Sequence, residues 1–200
     1  SAASDVYKRQ DYLRRRLADK QTRVLLRYKY YEMKNNAQDF SSLAPEKFKG
    51  LKETVGWCAK AVDSLADRLQ FDEFQNDEFD LSEIFLSNNQ DILIDSAVLS
   101  ALISACSFVY IREDNGYPRL QVIDGSNATG IIDPVTNLLT EGYAVLERDS
   151  MGVVKTEAYF MAGMTEIYSH GVLVQRIPNA APYAPVSYTH LRAHETSQDL

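Results

Sequence analysis

The densest set of residues able to do acid–base or metal chemistry lies between Phe71 and Asp80. It comprises Asp72, Glu73, Asp77, Glu78 and Asp80. Clustered carboxylates can hold a divalent cation and activate water, as in metal-dependent hydrolases and nucleases. Their spacing here fits neither a calcium-binding loop nor a metalloprotease helix. Histidine is scarce. His170 sits in the turn signal Ser169-His170-Gly171, and His190 and His194 lie in a C-terminal stretch without an element pattern. A triad or a histidine-based zinc site therefore lacks its other members. Gly-Lys-Ser/Thr, a glycine-rich dinucleotide turn and a Gly-x-Ser-x-Gly elbow are all absent. Asp63, Asp67 and Arg68 fall on a helix away from its apolar stripe, where they suit surface or interface salt bridges. The reading is a non-enzyme with no catalytic, cofactor-binding or metal residues. The alternative is an α+β metal-dependent hydrolase or nuclease using the acidic 72–80 stretch.

The elements that would position these residues are legible from periodicity. Asp11 to Lys34 reads as an amphipathic helix with Leu13, Leu17, Val24, Tyr28 and Tyr31 on one face. It is also the most basic stretch, through Arg14, Arg15, Arg16, Lys20, Arg23, Arg27 and Lys29. Such a stripe is either a solvated face or a surface for a phosphate backbone or acidic partner. After a polar loop, Pro45 opens a helix running to about Leu69. Phe48, Leu51, Val55, Cys58, Val62, Leu65 and Leu69 form its apolar stripe. Gly56 could kink this helix, and Trp57 beside the stripe reads as core or interface. The acidic link follows, anchored by Phe71, Phe74 and Phe79, and Leu81 to Ser87 makes a short helix.

Asn88 to Arg112 organises the rest. Ile92, Leu99, Leu102 and Cys106 follow at helical spacing, with Val98 and Ile103 beside them. The only polar seam is Ser96, Ser100 and Ser104, flanked by Ala97, Ala101 and Ala105, where another backbone could approach closely. A helix apolar almost all the way round must be covered on most sides. Near Ser107 the period switches to alternation, predicting a buried helix that runs into the first strand of a sheet. Beyond it, Asp114-Asn115-Gly116 joins Phe108–Arg112 to Arg119–Ile123. Asp124-Gly125-Ser126 turns again before a short strand at Ala128–Ile132. Gly142–Arg148 pairs with Val153–Phe160, and Thr165–Tyr168 with Val172–Arg176. The pattern predicts an α+β chain, with N-terminal helices over 11–106 and an antiparallel hairpin meander over 107–186. Pro178, Pro182 and Pro185 end it in a loop.

Composition bounds the partners. The chain has 200 residues, 45% hydrophobic and 24% charged, so a core can form. A net charge of −7 argues against a broad basic grip on nucleic acid, though not against surrounding DNA loosely. Cys58 and Cys106, both assigned to apolar helical faces, suit reduced buried thiols rather than a disulfide or zinc site. The uncharged run from Ser96 to Ile111 is short for a membrane span and ends in strand-like alternation. No signal peptide is visible. The ends, residues 1–10 and 187–200, fit no pattern continuous with their neighbours and look like translated sequencing-adaptor read-through. They are expected to be foreign tails, leaving the natural protein cut at one or both ends.

Several segments recur in a specific order. Tyr30-Tyr31 closes the first helix. Gly56-Trp57-Cys58 is followed by Val62-Asp63-Ser64-Leu65-Ala66-Asp67-Arg68-Leu69, then by Phe71 and Phe74. Asn88-Asn89 precedes Ala101-Leu102-Ile103 and Ser107-Phe108-Val109-Tyr110-Ile111. Asn127 to Pro134 and Glu141 to Leu146 come last. This ordered set resembles the portal proteins of tailed bacteriophages, in the branch found in phages of Gram-positive bacteria. The likeness covers nearly all of Asp11 to Val186. One departure is Ala105, where the family often has a glycine near the end of the central helix. Another is that the clip, stem helices and crown expected after Pro185 are missing, so the chain resembles the N-terminal, mainly wing-forming half.

The resemblance implies a structural portal at one capsid vertex, the head–tail connector of the virion, assembled in the host cytoplasm. It implies a closed dodecameric homo-oligomeric ring through which double-stranded DNA is packaged and ejected without sequence specificity. It also implies contacts with terminase, head-completion or adaptor proteins, and capsid and scaffolding proteins. No cofactor and no membrane are expected. Acidic charge suits a conduit that must not hold its DNA tightly. The Trp57 helix and the small-residue seam are the candidates for packing within or between subunits. Without a stem, the fragment is expected to be a monomer or a poorly defined oligomer with exposed apolar surface.

Overall fold

A computed structural model describes residues 2–34, 56–178 and 190–192. Four helices precede the sheets: α1 (Ala2–Tyr31), α2 (Trp57–Ala66), α3 (Leu81–Ser87) and α4 (Gln90–Ser104). Eight strands follow: β1 (Cys106–Asp114), β2 (Tyr117–Asp124), β3 (Ala128–Ile132), β4 (Leu139–Arg148), β5 (Val154–Met161), β6 (Met164–Ser169), β7 (Val172–Pro178) and β8 (His190–Arg192). All pairings are antiparallel, and the class is α+β.

Local chemistry places most turns where the sequence predicts them. Asn115 and Gly116 take φ of 53° and 81° between β1 and β2, the twist a two-residue hairpin needs. His170 and Gly171 do the same between β6 and β7, at 48° and 78°, so His170 is a turn residue. The strands do not form one meander, however. They divide into a three-stranded sheet, β2-β1-β8, and a five-stranded sheet, β3-β4-β5-β6-β7. The break falls at Asp124, whose carboxylate accepts the Ser126 N–H at 2.6 Å and the Asn127 side-chain amide at 3.1 Å. That local turn redirects the chain instead of folding it back onto β2.

Two apolar clusters hold the layers. Phe108, Tyr110 and Ile123 of the smaller sheet meet Ala128, Ala144, Ala158 and Phe160 of the larger one. Tyr110 and Phe160 lie 5.7 Å apart between ring centroids. The second cluster docks α1 on the larger sheet, through Leu13 and Leu17 against Tyr143, Val145, Tyr159 and Tyr168. Each large side chain so buried contributes about 1.5–3 kcal/mol.

Several expectations are corrected. The sequence has no visible break at Gln10 in the folded chain: α1 runs on from Ala2, and Gln10 is only 2% exposed. Its side-chain Nε2 donates to Glu166 and Tyr168. At the other end, His190–Arg192 pairs with Cys106–Phe108 as a short edge strand, so this stretch is not patternless. Of the long helix expected from Pro45 to Leu69, the part before Gly56 lies outside the described residues, as do Pro182 and Pro185. Its described portion, α2, starts one residue after Gly56 and buries none of its residues. Cys58 is exposed and Cys106 begins a strand, so neither is a buried helical thiol. Trp57 is 79% exposed and Leu65 53%.

The central helix packs through the small-residue seam expected to allow close approach, but its larger side chains are less covered than expected. Its buried positions are Leu93, Ala97, Ser100, Ala101, Ile103 and Ser104, largely the small-residue seam. Ile92 is exposed, and Leu99 and Leu102 are only half-buried. Small side chains let neighbouring backbone and the α1 helix come close, and that contact outweighs covering the larger side chains. Asn88 closes α3 and Asn89 opens α4, with Asn89 in the left-handed region at φ 56° and its carbonyl accepting the Leu93 N–H at 3.0 Å.

Candidate functional site

Three tripeptides of one form stand on three consecutive strands: Glu141-Gly142-Tyr143 on β4, Glu157-Ala158-Tyr159 on β5 and Glu166-Ile167-Tyr168 on β6. Alternation puts the glutamate and tyrosine of each on one sheet face. Register then sets Tyr143 beside Tyr159, Tyr159 beside Glu166 and Glu157 beside Tyr168. The N-terminal half of α1 covers this face.

Each carboxylate is held by a tyrosine and a cation. Glu157 accepts from the Tyr143 hydroxyl and from Arg14, whose Nη2 lies 2.5 Å from Oε1. Glu141 accepts from the Tyr159 hydroxyl at 2.6 Å and Arg9 Nη1 at 2.7 Å. Glu166 accepts from the Tyr168 hydroxyl at 2.7 Å, Gln10 Nε2 at 2.9 Å and Arg176 Nε at 2.9 Å. Burial raises the phenols of Tyr143 and Tyr159 above their ordinary value, and the bonds to Glu157 and Glu141 raise them further. Burial lowers the Arg14 guanidinium, but the hydrogen bond and charge of Glu157 outweigh it and leave Arg14 raised. With both kinds of donor in place, these glutamates act as clamps joining helix to sheet. Among the described residues, the Gln10 Oε1 is buried without a hydrogen-bond partner.

A second constellation sits where α4 becomes β1. The Ser104 hydroxyl lies 2.7 Å from the Ser100 carbonyl and 2.5 Å from that of Cys106, and accepts the Gly125 N–H at 3.2 Å. Ser107 Oγ donates to the Ala97 carbonyl at 2.9 Å. The chain turns between them at Ala105, whose φ is 68°. Asn88 pins the other end. Its Nδ2 donates to the carbonyls of Ile84 at 2.8 Å and Pro118 at 2.9 Å, and its Oδ1 accepts the Leu120 N–H at 3.0 Å.

The acidic link leads into α3. Asp77 accepts the N–H groups of Leu81 and Ser82, each at 2.7 Å, and so caps α3. Those bonds to Ser82 hold its carboxyl below the usual carboxylate range. Asp72, Glu73, Glu78 and Asp80 are exposed. Among the described residues, no group of three or more His, Cys, Asp or Glu is placed to hold a metal ion. Phe71 and Phe74 do anchor the link, with ring centroids 6.1 and 4.9 Å from Phe85, but Phe79 points into solvent. Asp63 accepts the Tyr31 hydroxyl at 2.8 Å, joining α2 to α1. No described helix is long and apolar enough to cross a membrane.

The basic face of α1 divides in two. Arg14 turns into the clamp, whereas Arg16, Lys20, Arg23 and Arg27 border a groove of about 570 Å³ against the start of β1 and the edge strand β3. Sequence reasoning listed these cations but missed the buried glutamates, Gln10 and Arg176. The repeated Glu-x-Tyr on successive strands was the available signal. Compared with protein-family models and with curated proteins, the chain matches none.

Proposed function

We propose that the chain is a rigid wall segment of a ring-forming portal protein of a tailed bacteriophage, a structural conduit rather than a catalyst. The observation that carries this reading is the ordered set of portal-like segments, together with the structural work their residues perform. Asn88 ties the α3–α4 corner to the first hairpin, and Ser107 ties the first strand back to α4. Tyr31 joins α2, and Glu141 and Tyr143 belong to the helix–sheet clamp. These residues tie a helix layer to a sheet layer, which suits a subunit that must keep its shape around moving DNA.

In this reading the subunits close through head-to-tail contacts. The exposed apolar residues of the helical layer, among them Trp57, Phe79, Leu86 and Ile92, would supply such contacts. The ring would be dodecameric and would pass double-stranded DNA without sequence preference. Terminase, head-completion or adaptor proteins, and capsid and scaffolding proteins would be its partners, at the capsid vertex. The gene would read on from Val186 into a long helical stem. Electron microscopy of the full-length gene product tests the proposal. Closed rings with an axial channel are expected; a monodisperse monomer from a full-length gene without a helical region beyond Val186 would overturn it.

A further inference from the structure

The groove along the second half of α1 differs from the rest of that helix in how its cations are treated. Arg9 and Arg14, in the first half, each reach a glutamate of the five-stranded sheet. Among the described residues, Arg16 and Arg23 make no ion pair and no carboxylate lines the groove they border. The lining instead contributes Ser104, Thr129 and the edge strand β3. Lys20 is partly buried in its wall, 5.5 Å from the Phe108 ring centroid and 3.9 Å from Cys106 Sγ. Burial lowers its pKa, and the charge of Arg16 adds to that; Cys106 and the charge of Asp124 work the other way. Asp124 is itself occupied by Ser126 and Asn127.

Gathering like charges beside a partly dehydrated ammonium is unfavourable unless something negative joins them. From Arg16 to Arg23 the helix advances about 10 Å, with Lys20 between them. The groove's 570 Å³ is of the size that takes a small-molecule ligand. Guanidinium forks match the paired oxygens of phosphoryl groups.

From these features we infer that the α1–β3 groove is a binding site for a phosphoryl-bearing polyanion, gripped by Arg16, Lys20 and Arg23. Its chemistry is shared by a free polyphosphate chain and by the phosphodiester backbone of a nucleic acid. It does not depend on the portal reading: none of Trp57, Phe79, Leu86 and Ile92, the residues proposed for ring contacts, lines the groove.

Calorimetric titration of the 200-residue chain with sodium tripolyphosphate at low ionic strength tests the site, with circular dichroism to verify folding of each variant. Binding is expected to weaken about tenfold or more in each of Arg16→Gln and Arg23→Gln. Arg15→Gln, on the same helix but outside the groove, is expected to bind as the parent does. A labelled single-stranded oligonucleotide separates the two sources of the ligand. Competition in which it displaces tripolyphosphate assigns the site to nucleic acid, whereas binding of tripolyphosphate alone assigns it to free polyphosphate. Absence of binding, or equal loss in Arg15→Gln, overturns the inference. So does polyglutamate of matched charge binding as tightly as tripolyphosphate, which would indicate an acidic protein segment instead.

Discussion

Arg14 on the first helix and Glu157 on β5 are joined through two nitrogens, Nη2 to Oε1 at 2.5 Å and Nε to Oε2 at 3.4 Å. The pair spans 143 residues of sequence and closes the helix onto the sheet. Glu157 is almost fully buried, while the Arg14 side chain keeps 35% of its surface in water. Removing the cation would leave a buried carboxylate with only the Tyr143 hydroxyl. Arg14→Met is expected to destabilise the fold by about 2 kcal/mol, less than for a fully dehydrated pair because water screens the arginine. Urea denaturation measures this. Adding Glu157→Gln should restore part of the loss, and simple additivity of the two substitutions would show that the pair is not coupled.

Tyr143 and Tyr159 set the alkaline limit. Their phenols are raised in the folded chain by burial and by Glu157 and Glu141, so the folded state holds these protons more tightly than the unfolded state. Their contribution is full below the unfolded value of about 10 and is lost as pH climbs above it. Melting temperature should therefore fall between about pH 10 and pH 12. Tyr143→Phe and Tyr159→Phe should each flatten that fall while lowering stability at neutral pH. An unchanged alkaline slope in both variants would contradict the assignment.

Gly125 is fitted against the helix-to-strand turn. A β-carbon there would stand 2.8 Å from Ser104 Oγ and 3.1 Å from Cys106 Sγ. Ser104 cannot retreat without leaving the Ser100 and Cys106 carbonyls it sits between. Gly125→Ala should destabilise by about 1–3 kcal/mol, the range for overpacking a tight site. Thermal denaturation tests this, and wild-type stability in the variant would mean that the junction is looser than described.

Ala105 makes the same turn in the left-handed region at φ 68°. An L-residue with a β-carbon pays about 1–2 kcal/mol there, and glycine does not. Part of that gain is offset by the greater freedom of glycine in the unfolded chain. Ala105→Gly should stabilise the protein by about 0.5–1 kcal/mol, seen as a higher urea midpoint with an unchanged slope. Lower stability would mean that the methyl group makes contacts worth more than the strain.

The sequence alone determined the features whose causes are local. Leu81–Ser87, the Asn115-Gly116 hairpin and the His170-Gly171 turn follow from spacing and turn chemistry within a few residues. So does the change from helix to strand next to Ser107, and with it the α+β class. Tertiary structure alone decided which face of α4 is inside, because the hydrophobic pattern surrounds the helix and only close packing selects the Ser100 and Ser104 side. It also decided that Gln10 belongs to the core and that the strands divide at Asp124. The three Glu-x-Tyr units were visible in the chain, but their meaning was not. Only the strand register brings the glutamates and tyrosines onto one face, and only the long reach of α1 supplies Arg9, Gln10 and Arg14 to hold them there.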